Sequence, residues 1–253
     1  MMRFSASLGF LFTEHTFCNA IRAAKRAGFD AVECHWPYHT PAAEVKSVLD
    51  ETGLPMLGLN TVRGSEGENG LSALVGRESE ARAAIDQALA YAADLHTPNI
   101  HVMAGSAIGD AAHRCFVDNL SYACKQAAKQ GATILIEPLN RYDAPDYFLQ
   151  GSEQAVAIIN EVGMSNLKLM FDCYHLQIME GDLTRRLERL LPVTGHIQIA
   201  SVPYRSEPDQ GELNYAHIFR MLEEWGYKEP IGAEYKPAID TVAGLDWLRT
   251  LTA

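Results

Sequence analysis

What this chain lacks narrows it before any motif is considered. It has 5 cysteines among 253 residues: Cys18, Cys34, Cys115, Cys124 and Cys173. No two form a CxxC pair, and the odd count and wide scatter fit reduced thiols in a cytoplasm rather than a disulfide framework. No apolar run approaches the roughly 20 residues of a membrane span. The opening MMRFSASLGFLF is Ser-rich and alternating and reads as a first strand, whereas a signal peptide would carry a longer apolar core before an Ala-x-Ala site. Positive charge is scarce: 21 Lys and Arg against 32 Asp and Glu leave a formal net charge of −11. Nucleic acid and anionic membranes call for a basic surface, so neither is expected as a partner. After the first strand, SLGFLF is neither GxGxxG nor a P-loop, so no phosphate-cradling fingerprint is present.

What is present is an even alternation. Eight strand-then-helix units can be laid out at about 30 residues each. The predicted strands are 3–8, 30–35, 55–61, 99–105, 133–138, 167–173, 195–200 and 230–235. The helices that follow them are predicted at 15–27, 41–52, 77–95, 110–130, 152–162, 174–191, 214–225 and 242–251. AGFD, TGLP, QGAT, VGMSN and WGYKEP each place Gly just past a helix, where a left-handed cap is wanted. With 47% hydrophobic and 21% charged residues, the expectation is one soluble α/β domain over 1–253: a single (β/α)8 TIM barrel with its active site at the C-terminal ends of the strands. Long loops follow strands 3, 5 and 7, on that same face.

Four oxygen donors each end an apolar run: Glu137 in ILIEP, Asp172 in LKLMFDCYH, Gln198 in GHIQIA and Glu234 in IGAEYKP. A parallel barrel collects strand C-termini on one rim, so these four can meet. Alternation puts Glu137 on one face with Leu135, Gln198 with His196 and Glu234 with Gly232. Carboxylates gathered in a low-dielectric pocket repel, and a divalent cation removes that cost. Three carboxylates and an amide suit Mg²⁺ or Mn²⁺ better than zinc, which favours histidine. Taken singly, each is an ordinary solvated loop residue or cap; the weight lies in all four ending successive units. His175 lies in the turn after Asp172, where a neutral imidazole can hydrogen-bond an alkoxide. His196 sits lower and reads as a structural histidine. Cys173 reads as a buried thiol rather than a soft ligand. Arg205 and Lys236 are the cations placed to face an anion.

These segments resemble the hydroxypyruvate isomerase family, within the xylose-isomerase-like barrel superfamily. RFSASLGFLFTE, GLSALVGRE, IEPLNRYDAPDYFL, DCYHLQIMEGDL, GHIQIA, RSEPDQGELNY and GAEYKP carry the likeness over nearly the whole chain. The resemblance implies that Glu137 and Glu234 form an acid/base pair and also bind metal, and that Asp172 and Gln198 complete the metal set. It implies substrate contacts from His175 and Arg205. Gln198 stands where sugar 3-epimerases carry His. ASVPYR departs from the more usual ADNP-x-R, leaving Ser201 as the polar group there. NTVRG and HVMAG look closer to a sister branch acting on four-carbon 2-oxo sugar acids.

The implied reaction interconverts hydroxypyruvate and tartronate semialdehyde by proton transfer through a cis-enediolate, with a divalent metal and no organic cofactor. The expected partner is a small anionic 2-oxo acid, held by Arg205 or Lys236. Rival readings are a 2-oxo-tetronate isomerase, a ketose 3-epimerase, a DNA-repair endonuclease and a catalytically silent binding protein. A homo-oligomer is compatible with the sequence, which does not set the assembly state.

Overall fold

The computed structural model describes residues 2–65 and 67–251. Met1, Thr252 and Ala253, at the ends of the expected 1–253 domain, and Glu66, in the loop after the third strand, lie outside the described residues. The strands are β1 (Phe4–Ser7), β2 (Ala31–Glu33), β3 (Gly58–Asn60), β4 (Asn99–His101), β5 (Thr133–Ile136), β6 (Leu167–Asp172), β7 (Thr194–Ile199) and β8 (Ile231–Ala233). All pair in parallel in the order β2-β1-β8-β7-β6-β5-β4-β3. Between β2 and β3 the circle is completed by a parallel bridge, Val32 to Met56, and by Cys34 N–H donating to the Gly58 carbonyl at 3.1 Å. Among the described residues the barrel is thus nearly closed, which leaves little sheet edge open.

Helices α1 (Phe17–Ala27), α2 (Ala42–Thr52), α3 (Glu78–Leu95), α4 (Gly109–Ala127), α5 (Ser152–Val162), α6 (Cys173–Met179), α7 (Leu183–Leu190), α8 (Tyr215–Glu224) and α9 (Trp247–Thr250) alternate with the strands. In α1, Cys18, Ala20, Ile21, Ala23 and Ala24 are buried while Lys25 and Arg26 are exposed, and Gly28 ends the helix at φ 93. Such a one-sided apolar stripe is what docks a helix on a sheet. Two predicted helices are corrected. The span 174–191 is split into α6 and α7, because Gly181 (φ 65) and Asp182 (φ 49) take left-handed conformations that a right-handed helix cannot pass through. The span 242–251 shrinks to the single turn of α9.

The two faces of the strands differ. Phe4, Ala6, Val32, Ile100, Ile134, Ile136, Leu169, Phe171, Ile197, Ile199, Ile231 and Ala233 belong to one buried apolar cluster with the helices. Fully burying one Val, Leu, Ile or Phe side chain contributes about 1.5–3 kcal/mol, so this layer carries much of the stability. The residues between them point into the lumen: Ser7, Glu33, Asn99, His101, Leu135, Met170, His196 and Gln198 line one internal space. The barrel plug is therefore largely polar, where branched aliphatics usually dominate.

Candidate active site

Above that plug lies a cavity of about 190 Å³ lined by Phe10, His35, Trp36, His101, Glu137, His175, Arg205 and Glu234, among others. Strand geometry delivers its acidic groups. Glu137 and Glu234 each follow directly on their strand, β5 and β8, while Asp172 ends β6 and Gln198 lies one residue before the end of β7. All four are buried. Asp172 does two jobs. Its Oδ1 accepts from the Tyr174 N–H at 2.8 Å and caps α6, leaving Oδ2 for the site.

The donors converge. Gln198 Nε2 donates to Glu234 Oε1 at 3.2 Å. Glu137, Asp172 and His175 offer ligand atoms that all lie within 4.8 Å of one another. Arg205 Nη2 pairs with Glu234 Oε2 and lies 3.6 Å from Asp172 Oδ2. Three oxygens of these rim donors are buried without a hydrogen-bond partner among the described residues: Glu137 Oε1, Asp172 Oδ2 and Gln198 Oε1. Buried oxygens normally find partners, and a hard divalent cation is the partner that carboxylate and amide oxygens share. The residues present therefore fit such an ion.

His175 is fixed by its neighbour. The Asn140 backbone N–H donates to Nδ1 at 3.0 Å, which puts the ring proton on Nε2. That nitrogen lies 3.5 Å from Asp172 Oδ2 and 3.8 Å from Glu137 Oε1. Burial, followed by the Arg205 charge, holds the imidazole well below its ordinary pKa, so it is a neutral donor.

The carboxylates titrate in opposite directions. Burial, reinforced by the Glu234 and Asp172 charges, pushes Glu137 well above the usual carboxylate range. Burial also raises Asp172, to about 7, against the pull of Arg205. For Glu234 burial acts upward too, but Arg205 and the His35 hydrogen bond outweigh it and hold the group at about 2.

Of the two expected anion-facing cations, the structure brings in one. Arg205 is buried, with its guanidinium 4.7 Å from the Phe10 ring centroid and 4.9 Å from that of Tyr174. Lys236 is exposed and does not line the cavity; its ammonium stands 5.8 Å from the Phe10 ring. Only its backbone joins the site loop, donating N–H to the Arg205 carbonyl at 2.7 Å. Ser201 hydrogen-bonds Ser206 at 2.8 Å and folds its loop instead of lining the cavity. His196 and Cys173 are buried, His196 within the lumen.

Three groups escaped the sequence reading. His35 Nε2 lies 2.9 Å from Glu234 Oε1, His101 Nδ1 lies 3.5 Å from Glu137 Oε2, and Glu33 is hydrogen-bonded to Gln198. Burial drives His101 down to about 4, so it too is neutral. His35 and Glu33 stood near the end of the predicted strand 30–35, a position of the same kind as the four that were singled out.

Similarity to known proteins agrees with this geometry. Residues 21–251 match the family described as xylose isomerase-like TIM barrel. A 2-oxo-tetronate isomerase of Cupriavidus necator is 47% identical over 98% of each chain. A hydroxypyruvate isomerase of Escherichia coli is 38% identical, again over 98% of each chain. A solved structure from Brucella melitensis, described as an AP endonuclease of family 2, is 40% identical and superposes with a TM-score of 0.96 over 99% of each chain. The chain belongs to the xylose isomerase-like TIM barrel family.

Proposed function

We propose that this protein is a hydroxypyruvate isomerase, interconverting hydroxypyruvate and tartronate semialdehyde. The observation that carries the reading is the pair Glu137 and Glu234: two buried glutamates at one cavity, one driven toward its protonated form and the other held ionised. Opposed environments of this kind mark acid and base partners. One glutamate takes the proton from the hydroxyl-bearing carbon, leaving a planar cis-enediolate, and the other returns a proton to the neighbouring carbon. His175 Nε2–H, aimed at the same space, donates to the oxygen on which negative charge develops. Arg205 neutralises the carboxylate cluster and is the buried cation available to the substrate's own carboxylate. Phe10 and Trp36 wall the cavity and limit access of water. Glu137, Asp172, Gln198 and Glu234 would hold a divalent cation, Mg²⁺ or Mn²⁺, which when bound polarises the substrate carbonyl as a Lewis acid.

A four-carbon substrate is the second reading, favoured by the 47% identity to the 2-oxo-tetronate isomerase. It uses the same residues and differs only in chain length. The description of the Brucella relative points to DNA, but a phosphate backbone is bound by basic grooves. Here the net charge is −11 and the cavity has one buried arginine among three carboxylates. The deciding assay follows exchange of the labile substrate hydrogen in deuterated water, with hydroxypyruvate and with four-carbon 2-oxo acids, with and without chelator. Exchange and product from hydroxypyruvate, lost with chelator, is the expected result. No exchange with any 2-oxo acid would reject the reaction class.

A further inference from the structure

Below the four rim donors a hydrogen-bond chain runs down into the lumen, and it is anchored by Glu33. This carboxylate ends β2 and is 4% exposed. It crosses the lumen past β1 and β8 to reach β7. Gly232 on β8 leaves the passage open: a Cβ there would lie 2.6 Å from Glu33 Oε1 and 2.9 Å from Gln198 Cγ. The two Glu33 oxygens take separate partners. Gln198 Nε2 donates to Oε1 at 2.7 Å, and His196 Nε2 sits 2.9 Å from Oε2.

The chemistry of the amide permits one orientation. Gln198 faces two carboxylates, Glu33 at 2.7 Å and Glu234 at 3.2 Å. Carboxylate oxygens only accept, and only the NH2 end of an amide can donate twice. With Nε2 spent between them, Oε1 is turned away, buried and without a hydrogen-bond partner. A flipped amide would set its oxygen against two carboxylate oxygens. His196, also buried, holds the second Glu33 oxygen and so fixes the carboxylate in the lumen.

Building on the proposed function, we propose that Glu33 is a positioning residue that locks Gln198 with its carbonyl oxygen toward the divalent cation. It touches neither ion nor substrate. Without it, the amide is free to rotate and the ion loses a ligand for part of the time. Partners of metal ligands at this remove typically contribute about 10–100-fold in metal affinity.

The test is Mn²⁺ titration of the full chain, following free Mn²⁺ by its paramagnetic resonance signal. The variants are Glu33→Met, Gln198→Met and the double variant. Glu33→Met is expected to weaken Mn²⁺ about 10–100-fold. Because Glu33 acts through Gln198, the double variant should bind no more weakly than Gln198→Met alone. A merely structural glutamate would lower the melting temperature without producing this coupling. Wild-type affinity in Glu33→Met, or two losses that add, would overturn the proposal. Should Glu33→Met fail to fold, Glu33→Gln keeps the length and one accepting oxygen; its loss should be smaller and vanish in the Gln198→Met background, and an additive loss, or none, overturns the proposal equally. A wild-type chain that binds no Mn²⁺ overturns both the ion and the anchor. A wild-type chain that binds while Glu33 variants bind equally well overturns the anchor alone.

Discussion

The two faces of one barrel strand obey different rules. On β7, Ile197 and Ile199 pack against helices, while His196 and Gln198 between them join a polar network in the lumen. β5 repeats the pattern, with Ile134 and Ile136 outward and Leu135 inward below Glu137. The outer face is close-packed apolar surface that holds the fold together. The inner face holds carboxylates, imidazoles and an amide that cost stability when buried and are retained for chemistry. Alternation in a parallel barrel thus separates helix from lumen, whereas in an open antiparallel sheet it separates core from solvent.

That contrast can be broken most sharply at the rim. Glu137→Gln and Glu234→Gln, each nearly isosteric, should lower kcat about 10²–10⁴-fold. Glu137→Gln should leave the melting temperature nearly unchanged, while Glu234→Gln should lower it by leaving buried Arg205 without its partner. Near-normal turnover in both, measured by the exchange assay, would remove the acid/base assignment.

The outward face should show the reverse. Ile197→Ala should cost about 2–5 kcal/mol in denaturant unfolding, with turnover retained in the fraction that stays folded. Its lumen neighbour Gln198→Met should cost less, about 1–3 kcal/mol, because the buried Glu33 oxygen loses its donor, yet it should weaken Mn²⁺ binding, which Ile197→Ala should leave intact. Equal effects of the two on stability would erase the distinction.

Divalent ions should stabilise the fold through the lumen donors and not through the outer face. A cation at 100 times its dissociation constant should add about 2.7 kcal/mol to unfolding free energy, reversibly with chelator. Gln198→Met should lose part of this shift and Ile197→Ala should keep it.

A separate effect is one of pH. Asp172 has a folded pKa of about 7 against an ordinary value of 3.8. Between these values the folded chain holds a proton that the unfolded chain has lost. The contribution of Asp172 to stability therefore falls as pH rises from about 4 to about 7, and the penalty is complete above that. Asp172→Asn should flatten this part of the ion-free stability profile; a profile unchanged by the substitution would contradict it.

Much of this was legible without coordinates, for identifiable reasons. The apolar runs before Glu137, Asp172, Gln198 and Glu234 are long enough to be strands, and parallel topology then brings their ends together. Glu33, His35 and His101 stayed hidden because each matters through a partner more than thirty residues away, which no local pattern reveals. Lys236 falls outside the cavity because proximity to Glu234 in sequence says nothing of direction: the chain leaves β8 at Glu234, and two residues later it is at the surface. The break in 174–191 lay in Gly181-Asp182, a pair that helix periodicity alone passes over.

Oxygen donors from four strands should share one ion, and anomalous diffraction from crystals grown with Mn²⁺ can locate it. The expected result is a peak bonded by oxygens of Glu137, Asp172, Gln198 and Glu234, with Arg205 drawn back from Glu234. A Mn²⁺ peak elsewhere, with Arg205 still paired to Glu234, would contradict it.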